Sequence, residues 1–144
     1  MYFYIPFIIT VLLDWITKIL ASSYLTDKIS LVWNFVFLEF IENSWIAFSI
    51  PIPYTLLKIL TIVLIIVIFY YYKSERKTAT HTKPLDISFG LILGWACGNA
   101  FERVFHWKVV DFLWIQNFAI FNIADAAISL GAIIFIYYSF FQNK

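Results

Sequence analysis

The chain has 144 residues, of which 62% are hydrophobic and 22% aromatic but only 13% charged. That much apolar surface does not fit inside one small water-soluble core, so the expected solvent is the bilayer. A net charge of +1 and the lack of a basic stripe interleaved with aromatics argue against a nucleic-acid partner, and Cys97, the single cysteine, allows no intrachain disulfide.

Four apolar stretches come close to the ~20 residues of helix that cross ~30 Å of hydrocarbon. They predict an all-α membrane protein, one domain over residues 1–144, with four transmembrane helices at about 2–25, 54–72, 85–105 and 118–141. The first carries Asp14 and Lys18, spaced i, i+4 as a structural ion pair. It has no basic leading region and polar residues break its apolar run, which predicts a retained helix rather than a cleaved signal peptide. The connection that follows, ISLVWNFVFLEFIENSWIAFSIPIP, is rich in β-branched and aromatic residues. It predicts short strands lying against the membrane surface.

The second helix has Lys58 near its start, expected to snorkel to the outer headgroups, and Phe69-Tyr-Tyr-Tyr72 as an interfacial belt at its other end. The linker KSERKTATHTK sets Lys73, Arg76, Lys77 and Lys83 against Glu75. Positive-inside bias puts it in the cytoplasm, and four crossings then put both termini there. On the third helix Gly90, Gly94 and Gly98 recur every fourth residue, a ridge that lets another helix approach closely. Asn99, Glu102 and Arg103 line one face near its outer end, Cys97 reads as a small buried residue, and His106 as interfacial. On the fourth, Asn122, Asp125 and Ser129 fall at i, i+3 and i+7 as one polar face.

Asp125 is the residue that this composition leaves hardest to explain. It falls in the first two turns of the fourth helix, within ~10 Å of the outer surface at ~1.5 Å rise per residue, and Asp111 lies in the connection just before. Two carboxyls from different elements can therefore meet at the outer edge of the bilayer. Such a pair shares one proton, giving a base that activates water beside an acid that protonates a carbonyl oxygen. That is aspartic peptidase chemistry. The other peptidase chemistries lack parts: there is no HExxH helix and no Gly-x-Ser-x-Gly elbow, and His81 falls in the cytoplasmic linker. Buried acids in membrane helices also serve as partners for bases or line ion pathways. A small transporter would carry polar residues through the full depth of the bundle, whereas the cytoplasmic halves of the second and fourth helices are apolar.

Five segments in order resemble the lipoprotein signal peptidases, or signal peptidase II: Asp14-Trp-Ile-Thr17-Lys18, Glu42-Asn43-Ser-Trp-Ile-Ala47-Phe48-Ser49, Gly94-Trp-Ala-Cys-Gly98-Asn99-Ala-Phe-Glu102-Arg103, Val109-Val110-Asp111-Phe112 and Phe121-Asn122-Ile-Ala124-Asp125. The resemblance implies that Asp111 and Asp125 form the catalytic dyad of an aspartic endopeptidase. Such an enzyme removes the signal peptide of bacterial prolipoproteins before a diacylglyceryl-modified cysteine, without metal or other cofactor. It implies that Asn43, Asn99, Arg103 and Asn122, with Glu102 beside them, surround the site and position substrate. The segment before the second helix becomes a cradle for lipoprotein. A monomer in the bacterial inner membrane, in contact with membrane lipid and with its site near the outer face, is expected. Glu102 stands where the family has an aspartate, and Trp45 and Trp95 stand where glycine is usual. The two tryptophans are expected to reshape the substrate pocket or mark a divergent relative, including one that binds lipoproteins without cutting them.

Overall fold

The computed structural model describes residues 1–44, 53–78 and 81–141. Its elements, in chain order, are α1 (Tyr4–Tyr24), β1 (Ile29–Val32), β2 (Val36–Asn43), α2 (Tyr54–Glu75), α3 (Lys83–Phe105), β3 (Val109–Ile115), β4 (Ala119–Phe121) and α4 (Ile123–Phe141).

The helices are inside-out relative to a water-soluble protein. On α1 the buried residues are Thr10, Asp14, Lys18 and Ala21, a polar stripe at helical spacing, while Ile8, Ile9, Leu12, Leu13, Ile16 and Leu20 are exposed. Exposed apolar surface on this scale marks contact with lipid. Among the described residues, three helices are long and apolar enough to cross a membrane: α1 and α4, each with mean hydropathy 1.7, and α2 with 2.2. α3 is as long but falls short in hydropathy, because it carries Lys83, Asp86, Glu102 and Arg103. It packs against α1, α2 and α4, so most of its side chains are covered by its neighbours, with Phe101 and Phe105 near its end left exposed.

The glycine ridge explains the closest of these contacts. A Cβ on Gly90 would lie 2.4 Å from the Phe3 carbonyl oxygen, on Gly94 2.8 Å from Thr10, and on Gly98 2.8 Å from the Asp14 carboxylate. The ridge therefore faces α1 and brings Asp14 and Lys18 against α3.

The first connection does form strands, but it does not form the sheet alone. The connection after α3 supplies β3 and β4, giving a four-stranded antiparallel sheet of order β1-β2-β3-β4. Residues 118–121 accordingly are not the start of the fourth helix, as the sequence predicts. Ala119–Phe121 is β4, and the helix begins at Ile123. A bulge in β2 between Leu38 and Ile41 sets the register that pairs Ile41 with Asp111 and Asn43 with Val109. Ile41, Asn43, Val109 and Asp111 then share one face of the sheet.

Candidate active site

α4 starts with a reciprocal cap. The Asp125 amide donates to Asn122 Oδ1 at 3.0 Å and the Asn122 amide donates to Asp125 Oδ2 at 3.2 Å. This is the capping-box geometry, here with an asparagine and an aspartate. Asp125 is thus in the first turn, shallower than the two turns expected, and its backbone and side chain are fixed together. The next free amide, that of Ala124, donates to Asp14 Oδ1 at 3.0 Å. α1 therefore caps α4.

Asp125 Oδ1 accepts two more hydrogen bonds from α3, from Trp95 Nε1 at 2.9 Å and from Asn99 Nδ2 at 3.0 Å. Trp95, Asn99 and Arg103 lie four residues apart, on a stripe of α3 about 100° round the helix from its glycines. Asp111 lies on β3 rather than in a loop, and is 4% exposed. Its two oxygens accept from Asn43 Nδ2 at 2.9 Å and from Asn122 Nδ2 at 2.8 Å. Asn122, fully buried, therefore bonds to both carboxylates. Burial pushes the Asp111 carboxyl up to about 6, opposed by the Asn43 donor and assisted by the charge of Asp125.

Behind these groups lies a sealed cluster. The three N–H donors of Lys18 meet Asp14 Oδ2 at 2.7 Å, Glu102 Oε2 at 2.6 Å and Asn99 Oδ1 at 2.9 Å. Asp14 and Lys18 do form their i, i+4 pair, but it is one arm of a knot that ties α1, α3 and α4 together. Glu102 also accepts weakly from the Val110 amide at 3.4 Å, linking α3 to β3.

In front, a cavity of about 1120 Å³ is lined by Asn43, Trp95, Asn99, Arg103, Asp111 and Asp125, with Leu57, Leu60, Thr61 and Leu64 of α2 opposite. Ile128 and Ser129 of α4 complete one wall. α2 packs on α3 and not comparably on α4, so the cavity runs between α2 and α4. The guanidinium of Arg103 makes no ion pair or hydrogen bond among the described residues.

Asn43, Asn99, Arg103 and Asn122 are brought to the two aspartates or to the cavity wall they share, whereas Glu102 lies behind them on Lys18 and the Val110 amide. Asn122 was legible as more than polar lining, since Asn-x-x-Asp ahead of an apolar run is a helix-start signal. The contact of Trp95 with Asp125 had no such signal. The Lys58 ammonium lies 3.2 Å from the Val104 carbonyl and caps the end of α3. Trp45, Ala47, Phe48 and Ser49 lie outside the described residues. No group of three or more potential metal ligands occurs among the described residues.

The family model for Signal peptidase (SPase) II matches residues 6–141. The lipoprotein signal peptidase of Chlorobium phaeobacteroides (strain BS1) is 30% identical over 99% of this chain and 98% of its own length. That of Pelodictyon phaeoclathratiforme (strain DSM 5477 / BU-1) is 33% identical over 95% and 87% respectively. Two solved structures of a bacterial membrane enzyme, obtained by the in meso method, have the same fold. One, at 2.3 Å resolution, has a TM-score of 0.81 at 27% identity, covering 92% of this chain and 83% of that one. The other, at 1.9 Å, has a TM-score of 0.82 at 26% identity, covering 95% and 91%. With its sequence matched almost from end to end, this chain belongs to the signal peptidase II family.

Proposed function

We propose that Asp111 and Asp125 are the catalytic dyad with which this signal peptidase cuts prolipoproteins before a diacylglyceryl-modified cysteine. The observation that carries the reading is Asn122, a single buried residue bonded to both carboxylates on the wall of one cavity.

The two acids have different surroundings and take different roles. Asp111, raised to about 6, holds the proton and donates it to the carbonyl oxygen of the scissile amide. Asp125, whose oxygens accept three N–H groups, is the ionised partner and takes a proton from the attacking water. The tetrahedral intermediate then collapses: the C–N bond breaks as the proton taken by Asp125 passes to the leaving amine, and a hydroxyl proton of the intermediate returns to Asp111. Arg103, on the same wall, orients the substrate backbone, and Asn43, Asn99 and Asn122 hold the acids in place. Glu102 acts through Lys18 and not on substrate.

The cavity between α2 and α4 opens along the lipid-facing side of the bundle, which suits a substrate delivered by its acyl chains in the bilayer. α3 is read as the fourth span, shielded from lipid by its neighbours. The basic linker between α2 and α3 lies at the end of the bundle opposite the dyad. Positive-inside bias then puts both termini in the cytoplasm and the site near the outer face of the inner membrane. The site residues all belong to one membrane domain, which is read as a monomer.

Cleavage of a diacylglyceryl-modified prolipoprotein in detergent micelles tests this. Asp111→Asn and Asp125→Asn each lower kcat by about 10³-fold while both variants still unfold cooperatively. In the wild type, kcat/KM traces a bell against pH whose alkaline side falls near pH 6, as Asp111 loses its proton. Wild-type rates in either variant exclude the dyad.

A further inference from the structure

Trp95 is the one bulky aromatic side chain hydrogen-bonded to either aspartate among the described residues. Its indole N–H lies 2.9 Å from Asp125 Oδ1, the oxygen that Asn99, one helical turn further along α3, also meets. An indole N–H facing an apolar cavity wall needs an acceptor, since leaving it unpaired costs desolvation energy. Asp125 supplies that acceptor. The ring borders both the cavity and a small void lined by Thr61, Leu64, Ala96, Asn99 and Arg103, so the bond to Asp125 is what fixes its orientation.

Asp125 needs such a support. Its main chain is fixed by the cap at Asn122, and its Oδ2 is held by the Asn122 amide. Only α3 determines where Oδ1 points, and of its two donors Asn99 is already committed to other work. Asn99 accepts from Lys18 and from Asn122 through its own Oδ1, which fixes its amide from the other side. Trp95 has no other hydrogen-bonding group, so its N–H serves Asp125 alone.

We infer that Trp95 is a positioning residue for the peptidase reaction, orienting the Asp125 carboxylate through the indole N–H. The inference rests on the reading of Asp111 and Asp125 as the dyad. It assigns a role to a side chain standing where the resemblance expects glycine, and so belongs to this chain in particular. A charge-assisted bond of this kind that strengthens the reactive orientation is worth about a factor of ten in kcat.

Two replacements at position 95 separate the N–H from the bulk of the ring. Benzothienylalanine keeps the bicyclic shape and substitutes sulfur for the N–H; Trp95→Phe removes both the N–H and part of the ring. Prolipoprotein cleavage by each is compared with wild type and with Asp125→Asn. The benzothienylalanine variant is expected to lose about tenfold in kcat with KM within about twofold and the thermal midpoint unchanged. Trp95→Phe shows at least the same loss in kcat. Full kcat in the benzothienylalanine variant, or a change in KM alone, means that the ring only fills the pocket and overturns the inference. If that happens while Asp125→Asn is inactive, the dyad stands and only the role of Trp95 falls. Activity retained in Asp125→Asn sinks both.

Discussion

α3 has two polar faces with the same kinds of residue and opposite designs. Toward α1, Lys18 is 5% exposed and its three donors are all matched, by Asp14, Glu102 and Asn99. Toward α2, Asp111, Asp125 and Arg103 line an open cavity, and the guanidinium has no bonded partner among the described residues. The difference lies in the backbone. Glycines on one face let α1 come close enough to seal the charges in, while Trp95, Asn99 and Arg103, about 100° further round the helix, line the cavity beside α2. Sealed charges hold helices together; charges on a cavity wall remain available to a substrate. Asn99 belongs to both faces, bonding Lys18 behind and Asp125 in front.

The sharpest way to break this contrast is Lys18→Met. It leaves two carboxyl groups buried with no cation between them, and such a loss costs about 3–5 kcal/mol. The thermal midpoint in detergent should fall steeply, and activity should fall with the folded fraction. Removing all the charges together, as Asp14→Asn with Lys18→Met and Glu102→Gln, should recover much of the loss, because no ion is then left unpaired. A Lys18→Met protein as stable as wild type would mean that the cluster does not bind the helices.

How much of this was readable in the sequence depended on how local the signal is. α1 and α2 follow from long apolar runs, and the glycine ridge from a four-residue repeat. The start of α4 was set five residues too early because a short apolar run such as Phe118–Phe121 reads equally as helix or strand. The cap at Asn122 and Asp125 was the signal that could have placed it. β3 was read as a loop because its partner β2 lies about seventy residues away, and pairing at that separation leaves no periodic trace. Asp111 was chosen correctly as a neighbour of Asp125, but the strand and bulge that aim it were not visible. Trp95 was noted for its bulk, and its bond to Asp125 could only be seen once α3 and α4 were packed.

The open face has its own thermodynamic signature, of smaller size. The folded-state value of Asp111 near 6 lies above that of an unfolded carboxyl, near 3.8. The folded protein therefore holds this proton more tightly than the unfolded chain. The associated stability is complete below about pH 4 and lost as pH rises through about 6, amounting to about 2–3 kcal/mol. Across pH 4 to 8, the thermal midpoint of wild type should drop relative to that of Asp111→Asn, whose side chain does not titrate. Parallel curves for the two proteins would remove Asp111 as a proton-holding group.

The smallest effect comes from a third pair, on the rim between the two designs. Lys108 on the approach to β3 bonds Glu42 on β2 at 2.5 Å, but the side chains are 46% and 48% exposed. Here the short contact is not a guide to strength, since water screens both ions and ordering two long side chains offsets the attraction. A double-mutant cycle with Glu42→Gln and Lys108→Met should give a coupling below about 1 kcal/mol, and one that shrinks as salt is raised. The same cycle applied to Lys18 and Glu102, at 2.6 Å, should give a coupling several times larger and nearly independent of salt. Because the two pairs have almost the same length, equal couplings would show that closure by the glycine ridge contributes nothing. A wide gap assigns the difference to burial.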